Sequence, residues 1–255
     1  MVRRSALNSI VVFCIICLPF TGFWFSESVA AETITFATDA TWPPMEFVNS
    51  DDEIVGFSID YMKAAGKEAG FTPVFKAVAW DGIFAGLATG KYDAICSSVS
   101  ITEQRKLAMA FTEPYFRVRQ ALVVQKKSTA KSLKDMTGKK VGTQISTTGT
   151  FAVQKFEGII SKTYDEVGLA MEDLYNGHIE GVVCDDPVAA QYALANEKYK
   201  ASLKIAAVIE TEGVEYYGIA LKKGNTKILD LINKGIKAVK AKGLDKELQK
   251  KWIGQ

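Results

Sequence analysis

The chain has 255 residues, enough for one large domain or two modest ones with a substantial core. Hydrophobic residues make up 48% and charged residues 24%, which is typical of a globular protein and excludes a disordered or collagen-like chain. The formal net charge of +2 gives no field that would favour nucleic acid as a partner. With a single histidine, His178, we expect neither a histidine-rich metal site nor a Ser-His-Asp triad.

The first 31 residues have the pattern of a secretory signal peptide. Arg3 and Arg4 precede an apolar run, Ile10–Phe20, and small residues follow at Val29-Ala30-Ala31. This order of charge, apolar run and small residues predicts cleavage near residue 31 and export to the periplasm. The alternative is a retained membrane anchor, because Phe23-Trp24-Phe25 prolongs the apolar run.

Two cysteines, Cys96 and Cys184, remain after such cleavage. They could pair in an oxidising compartment, but two cysteines do not make a disulfide scaffold. Because they lie far apart in sequence, we expect two free, partly buried thiols.

The chain after residue 31 alternates short strand-like runs with amphipathic stretches, the pattern of an α/β protein. Thr102 is expected to cap a helix that carries Arg105 in its first turn. The alternation falls into two series of strands and helices, here called cycles. The first cycle is predicted to contain strands at Thr33–Thr38, Val74–Val78 and Ala94–Cys96, and helices at Ser58–Ala69 and around Ile83–Leu87.

A second cycle begins near Gln120. Its predicted strands are Ala121–Gln125, Lys140–Thr143 and Gly181–Cys184, and its predicted helices start at Thr147-Thr148-Gly149 and cover Val167–Leu174. The last predicted elements are a strand at Tyr217–Leu221 and helices at Ile228–Val239 and Leu244–Trp252. Two similar cycles without a linker predict two lobes, residues 32–119 with 217–255 and residues 120–216. Segments near Arg117–Gln120 and Glu215–Gly218 are the expected hinges.

Polar residues follow several predicted strands, where ligands of open α/β sheets bind. In Ser98–Arg105, backbone amides and hydroxyls at a helix start precede a guanidinium, a fork suited to a carboxylate. Thr148 could contact the same anion, and Asp185 could receive an ammonium group. Each of these residues could equally be an ordinary helix cap or surface residue.

Aromatic residues suggest a pocket for a side chain. Trp42 and Trp80 each lie in a loop after a predicted strand, and Asp39 ends the first strand. The two rings could belong to the core, or they could enclose a flat or cationic group.

In their order along the chain these motifs resemble the bacterial periplasmic binding proteins for polar amino acids (solute-binding family 3). The resemblance covers essentially the whole chain after residue 31. It rests on Thr38–Phe47, Gly56–Asp60, Trp80–Ile83, Tyr92-Asp93-Ala94, Ser98–Arg105, Phe111–Tyr115, Gly138–Gly142, Thr147-Thr148-Gly149, Asp185-Asp186-Pro187 and Tyr217–Ala220.

The resemblance implies a type II periplasmic-binding fold, in which two lobes, each a mixed sheet flanked by helices, are joined by two crossover strands and close over a free L-amino acid. It implies that Arg105 holds the α-carboxylate with the backbone around Ser100 and Thr148. Asp185 would take the α-ammonium together with Ser98 or Ser100. The side-chain pocket would be lined by Asp39, Trp42 and Trp80.

The resemblance also implies a monomer without cofactor, metal or catalytic residues that delivers its ligand to the membrane permease of an ABC transporter. Asp39 and the two tryptophans favour arginine or another basic amino acid, with glutamine or histidine as alternatives. An exported enzyme similar to the cyclohexadienyl dehydratases is a rival, for which Glu46 and Glu113 are nominal general acids. A receptor or channel sensor domain would need membrane-spanning segments.

Three positions carry separate expectations. Ser146 stands where many relatives have glycine, which leaves the geometry of its loop open. Asp186 is expected to be a cap or a surface carboxylate, and His178 an exposed loop residue.

Overall fold

The computed structural model describes residues 31–209 and 213–254. The chain from residue 31 onward forms one compact unit. The predicted signal peptide lies outside the described residues and stays a prediction.

Strands and helices alternate along the described chain. The strands are β1 Glu32–Thr38, β2 Thr41–Trp42, β3 Glu46–Val48, β4 Ile54–Val55, β5 Phe71–Ala77, β6 Ala94–Ile95, β7 Met109–Phe111, β8 Phe116–Val118, β9 Gln120–Gln125, β10 Lys140–Gln144, β11 Ile160–Tyr164, β12 Gly181–Asp185, β13 Leu203–Ile209, β14 Glu215–Tyr217 and β15 Ala220–Lys222. The α-helices are α1 Phe57–Ala69, α2 Trp80–Ala88, α3 Glu103–Ala108, α4 Thr148–Gln154, α5 Val167–Asn176, α6 Asp186–Ala190, α7 Thr226–Ala241 and α8 Leu244–Ile253. Leu133–Met136 forms a 3-10 turn and Gln191–Ala195 a π-helical turn.

Two five-stranded mixed sheets make up the framework. The first has the order β5-β1-β6-β15-β7, with β1 parallel to β5 and β6 and with β15 antiparallel to β6 and β7. The second has the order β11-β10-β12-β9-β13, with β9 antiparallel to β12 and β13. Strands β8 and β14 pair where the chain passes from one sheet to the other.

The sheets explain which sequence runs form strands. Strands β9 and β12 are buried along almost their whole length, and their continuous apolar runs suit strands covered on both faces. Helix α1 ends at Gly70, whose φ of +89° lets its N–H bond the Gly66 carbonyl at 2.8 Å. Gly235 lets α7 approach α1 closely, because a Cβ there would lie 2.6 Å from the Ala65 carbonyl oxygen.

The predicted α/β architecture is confirmed, and one predicted element is wrong. The run Tyr217–Leu221 is not a single strand, since β14 ends at Tyr217 and β15 starts at Ala220. Between them, the Gly218 N–H donates to Val99 O, and the Ile219 N–H donates to Thr112 Oγ1 at 3.0 Å. Because these two N–H groups bond to loops elsewhere in the chain, Gly218 and Ile219 interrupt the predicted strand.

Both cysteines are buried and unpaired, as expected, with exposed fractions of 0% for Cys96 and 2% for Cys184. Among the described residues, the structure contains no helix of the length and apolarity needed to cross a membrane.

Candidate functional site

The carboxyl ends of strands from both sheets meet at one cavity. Its empty space, including the part open to solvent, is about 320 Å³. All eight residues predicted from the sequence line it, namely Asp39, Trp42, Trp80, Ser98, Ser100, Arg105, Thr148 and Asp185. It is also lined by Glu46, Ser97, Gln144 and Thr147. The candidates therefore lie together, while their contacts with a ligand stay a prediction.

Arg105 bridges the two sides of the cavity. Helix α3 starts where Thr102 Oγ1 accepts a hydrogen bond from the Arg105 N–H at 3.1 Å, so the predicted cap is confirmed. The guanidinium donates to Ser100 O at 2.9 Å and to Ser146 O at 3.1 Å. These bonds use two of its five N–H groups, which leaves donors for a carboxylate. Burial lowers the pKa of Arg105 to about 10, so the group is charged at neutral pH.

Two serines at the cavity adopt left-handed backbone conformations. Ser146 has a φ of +57° and Ser98 a φ of +47°. Residues other than glycine seldom adopt this region, and such strain concentrates at ligand sites. At Ser146 a glycine would adopt this conformation without strain, and the Ser146 carbonyl accepts a hydrogen bond from Arg105.

The two tryptophans are almost fully buried, each with an exposed fraction of 6%. Trp80 donates through Nε1 to Ile145 O at 2.9 Å, and its ring centroid lies 5.6 Å from Arg105 Cζ. Trp42 Nε1 has no hydrogen-bond partner among the described residues. Trp80 therefore contacts both Arg105 and the opposite wall of the cavity, at Ile145 O.

Asp39 is well supplied with hydrogen bonds. Its Oδ1 accepts from Thr41 Oγ1 at 2.8 Å, and its Oδ2 accepts from Gln144 Nε2 at 2.7 Å. Burial raises the pKa of Asp39, and these two hydrogen bonds lower it in part. The bond to Gln144 joins the end of β1 to the end of β10 across the cavity.

Glu46 is the second acidic side chain of the cavity, with an exposed fraction of 0%. Neither carboxyl oxygen has a partner at hydrogen-bond distance among the described residues, although the Ser98 and Ser58 hydroxyls lie near it. Burial raises its pKa well above the usual range, and these two hydroxyls lower it in part. A buried carboxyl with so few close partners costs free energy.

Asp185, at the end of β12, is held by two side chains from other segments. Its Oδ1 accepts from Gln120 Nε2 at 2.5 Å, and its Oδ2 accepts from the Tyr217 hydroxyl. Burial, together with the nearby Glu215 carboxylate, raises the pKa of Asp185. A cation beside it would stabilise its ionised form.

Sequence reasoning missed the supporting residues Gln120, Gln144, Glu215 and Tyr217. Gln120, Glu215 and Tyr217 stand in the predicted hinge segments, and Gln144 directly follows the predicted strand Lys140–Thr143. A search for polar side chains next to those segments could have found them. From the sequence Glu46 is only a nominal general acid, although it lies within the Trp-Pro-Pro-Met-Glu run.

Three other candidates lie off the cavity. Asp186 does not line it, and its Oδ2 accepts a hydrogen bond from Arg119 Nε at 3.0 Å. His178 is exposed, and its Nδ1 lies 3.1 Å from an oxygen of Asp173. Glu113 is half-buried and forms an ion pair with Lys237, at 3.1 Å between the carboxylate oxygen and Nζ.

Comparisons with known proteins identify the family of the chain. Residues 34–255 match the family of bacterial extracellular solute-binding proteins, family 3. The ABC transporter arginine-binding protein 1 of Escherichia coli (strain K12) is 34% identical over 239 residues, which cover 92% of this chain and 96% of the relative.

Solved structures show the same arrangement. An ancestral arginine-binding protein bound to arginine is 38% identical with a TM-score of 0.81, covering 88% of this chain and 99% of that chain. An ancestral arginine-binding protein bound to glutamine is 39% identical with a TM-score of 0.80, covering 88% and 98%.

Two mixed sheets with a polar cavity at their strand ends define the type II periplasmic-binding fold. The chain belongs to the bacterial extracellular solute-binding proteins, family 3.

Proposed function

We propose that this protein is a periplasmic binding protein that captures free arginine, or another basic amino acid, and delivers it to the permease of an ABC transporter. In this proposal residues 1–31 are removed as a signal peptide, and the protein acts as a monomer. The lobes are residues 32–119 with 217–255 and residues 120–216, which agree with the strands that build each sheet. They close when one ligand contacts both.

The observation that carries this proposal is the fully buried carboxyl of Glu46, which has only the Ser98 and Ser58 hydroxyls near it among the described residues, in a cavity that also contains Asp39. A guanidinium group offers five N–H donors in one plane and carries a fixed positive charge. Such a group would satisfy Glu46, and the Trp42 and Trp80 rings would pack against its flat faces. Free glutamine as the ligand would satisfy the hydrogen bonds of Glu46 but would not neutralise its charge.

The opposite end of the cavity suits an α-amino acid. Arg105 retains donors for the α-carboxylate, and Asp185 can accept from the α-ammonium group. A micromolar affinity corresponds to about −8 kcal/mol. A few charge-assisted hydrogen bonds of about 1.5–3 kcal/mol each reach that value together with ring packing.

We propose that the protein binds its ligand without catalysing a reaction. The rival dehydratase activity needs a general acid over a ring, and Glu113 does not line the cavity. Glu46 lines it beside Asp39, an arrangement that equally serves a cationic side chain.

The direct test is mass spectrometry of protein purified without refolding, followed by calorimetry with the twenty common amino acids. Retained arginine, and tightest binding of arginine, is the expected result. If no amino acid produces heat, the proposal fails. Conversion of prephenate or arogenate to an aromatic product would establish the enzymatic rival instead.

Replacing Glu46 by glutamine should weaken arginine binding by about 10- to 150-fold and leave glutamine binding nearly unchanged. The variant keeps the size of the side chain but loses a charge-assisted hydrogen bond worth about 1.5–3 kcal/mol. Calorimetry with both ligands measures the ratio. The control is Glu113→Gln, which removes an ion pair away from the cavity. Equal losses for the two ligands would contradict a role of Glu46 in recognising a cation.

Arginine binding should release protons. Burial raises the pKa values of Asp39, Glu46 and Asp185, so these carboxyls hold more protons near neutral pH than exposed ones do. A cationic ligand favours the ionised forms, which lowers those pKa values in the complex, and affinity therefore rises with pH. Calorimetry in phosphate and in Tris at one pH detects the release as a difference in heat. Identical heats in the two buffers would refute it.

A further inference from the structure

Glu215 lies behind the cavity wall, on strand β14. Its Oε1 accepts hydrogen bonds from the Ser100 hydroxyl and from Thr148 Oγ1, the latter at 2.6 Å. Gln120 Nε2 lies 3.4 Å from Glu215 Oε1 and 3.3 Å from Oε2. Glu215 is half-buried and does not itself line the cavity, whereas Ser100 and Thr148 do.

The hydroxyl protons of Ser100 and Thr148 are therefore both donated to Glu215 Oε1. A hydroxyl group has one proton to donate, and a carboxylate can only accept. Thr148 Oγ1 accepts in turn from Gln120 Nε2 at 3.1 Å, and the Ser100 and Thr148 oxygens lie 3.4 Å apart. With their protons directed to Glu215, the two hydroxyls can offer the cavity lone pairs but no donor.

We propose that Glu215 is a positioning residue. By accepting the hydroxyl protons of Ser100 and Thr148, it makes the two hydroxyl oxygens hydrogen-bond acceptors for a ligand's ammonium group. The inference rests on the function proposed above and gives Glu215 a part in setting the orientation that the resemblance implies for the amino acid. An α-ammonium group has three donors, which match the two hydroxyl oxygens and Asp185. A carboxylate at this position would meet only lone pairs and negative charge.

The position of Arg105 completes this orientation. Its guanidinium supplies donors only, so the α-carboxylate belongs beside it. Glu215 and Asp185 act on the same part of the cavity, because Gln120 Nε2 lies 2.5 Å from Asp185 Oδ1 and 3.3 Å from Glu215 Oε2.

The test is Glu215→Gln, which retains the shape but gives the side chain an amide that can donate. The two hydroxyls are then free to turn their protons toward the cavity. Calorimetry compares arginine with its analogue lacking the α-amino group. We expect arginine binding to weaken at least tenfold and analogue binding to change less than twofold. Equal losses for both ligands, or no loss, would overturn the inference.

A second measurement separates this role from a general effect on folding. In a Ser100→Ala, Thr148→Val background, Glu215→Gln should change arginine affinity less than twofold, because the hydroxyls through which it acts are absent. A loss as large as in the otherwise unchanged protein would refute the mechanism. The control is Glu197→Gln, an exposed glutamate paired with Lys200.

The outcomes distinguish this inference from the proposed function. If the unaltered protein binds no amino acid, both fail. If it binds arginine and the ratio of arginine to analogue affinity is the same in Glu215→Gln, the inference alone fails.

Discussion

Replacing Arg105 by alanine is expected to weaken amino-acid binding by about 30- to 5,000-fold. The guanidinium is half-buried, and it is the cationic side chain among the residues that line the cavity. Removing one partner of a buried, hydrogen-bonded charge pair costs about 2–5 kcal/mol, which corresponds to this range. Calorimetry with arginine measures the change. A loss of less than tenfold relative to the unaltered protein would contradict the assignment of the α-carboxylate.

Two further variants separate charge from geometry at this position. Arg105→Lys keeps the positive charge but loses the planar fork that reaches Ser100 O, Ser146 O and a carboxylate together, so we expect most of the loss to remain. Lys106→Ala removes an exposed cation from the same helix, where it pairs with Glu103, and should leave affinity unchanged.

Asp185→Asn is expected to have the second large effect, again about 30- to 5,000-fold on amino-acid affinity. The amide keeps the size of the side chain and an oxygen for the Tyr217 hydroxyl, but it loses the charge that would hold the α-ammonium. Because burial raises the pKa of Asp185, its ionised form is costly in the free protein. The melting temperature of the free variant should therefore be equal to or above that of the unaltered protein.

Asp186→Asn is the matched control. It stands next in sequence, but its carboxylate faces Arg119 rather than the cavity. Thermal melts with and without arginine measure both effects, and the shift induced by arginine should vanish only in Asp185→Asn. A shift that survives in Asp185→Asn, or disappears in Asp186→Asn, would show that the acidic partner has been misassigned.

The periodic part of the fold could be predicted from the sequence. Helices α1, α5 and α7 follow from apolar residues at helical spacing, and β9 and β12 follow from continuous apolar runs. Strand β11 could not be predicted in this way, because four of its five residues are exposed at the edge of the second sheet. Its strand conformation comes from pairing with β10.

The primary candidates of the site could be predicted because each stands at the end of a strand or the start of a helix. Arg105 and Asp185 belong to short, ordered motifs that carry their own local geometry. Glu215 does not, because its importance lies in bonds to Ser100 and Thr148, which stand 115 and 67 residues away in sequence. Such proximity arises from tertiary packing, and no local pattern records it.

The placement of β15 has a consequence for the order in which the chain can fold. Residues 220–222 lie between β6 and β7, so the first sheet takes an interior strand from beyond the second sheet. The strands of the second sheet come from one continuous stretch, residues 120–209. During synthesis that stretch can form its sheet as soon as it is available, whereas β7, the edge strand that β15 joins to β6, must wait for the chain to pass Lys222. The N-terminal part of the protein is thus the last to be completed.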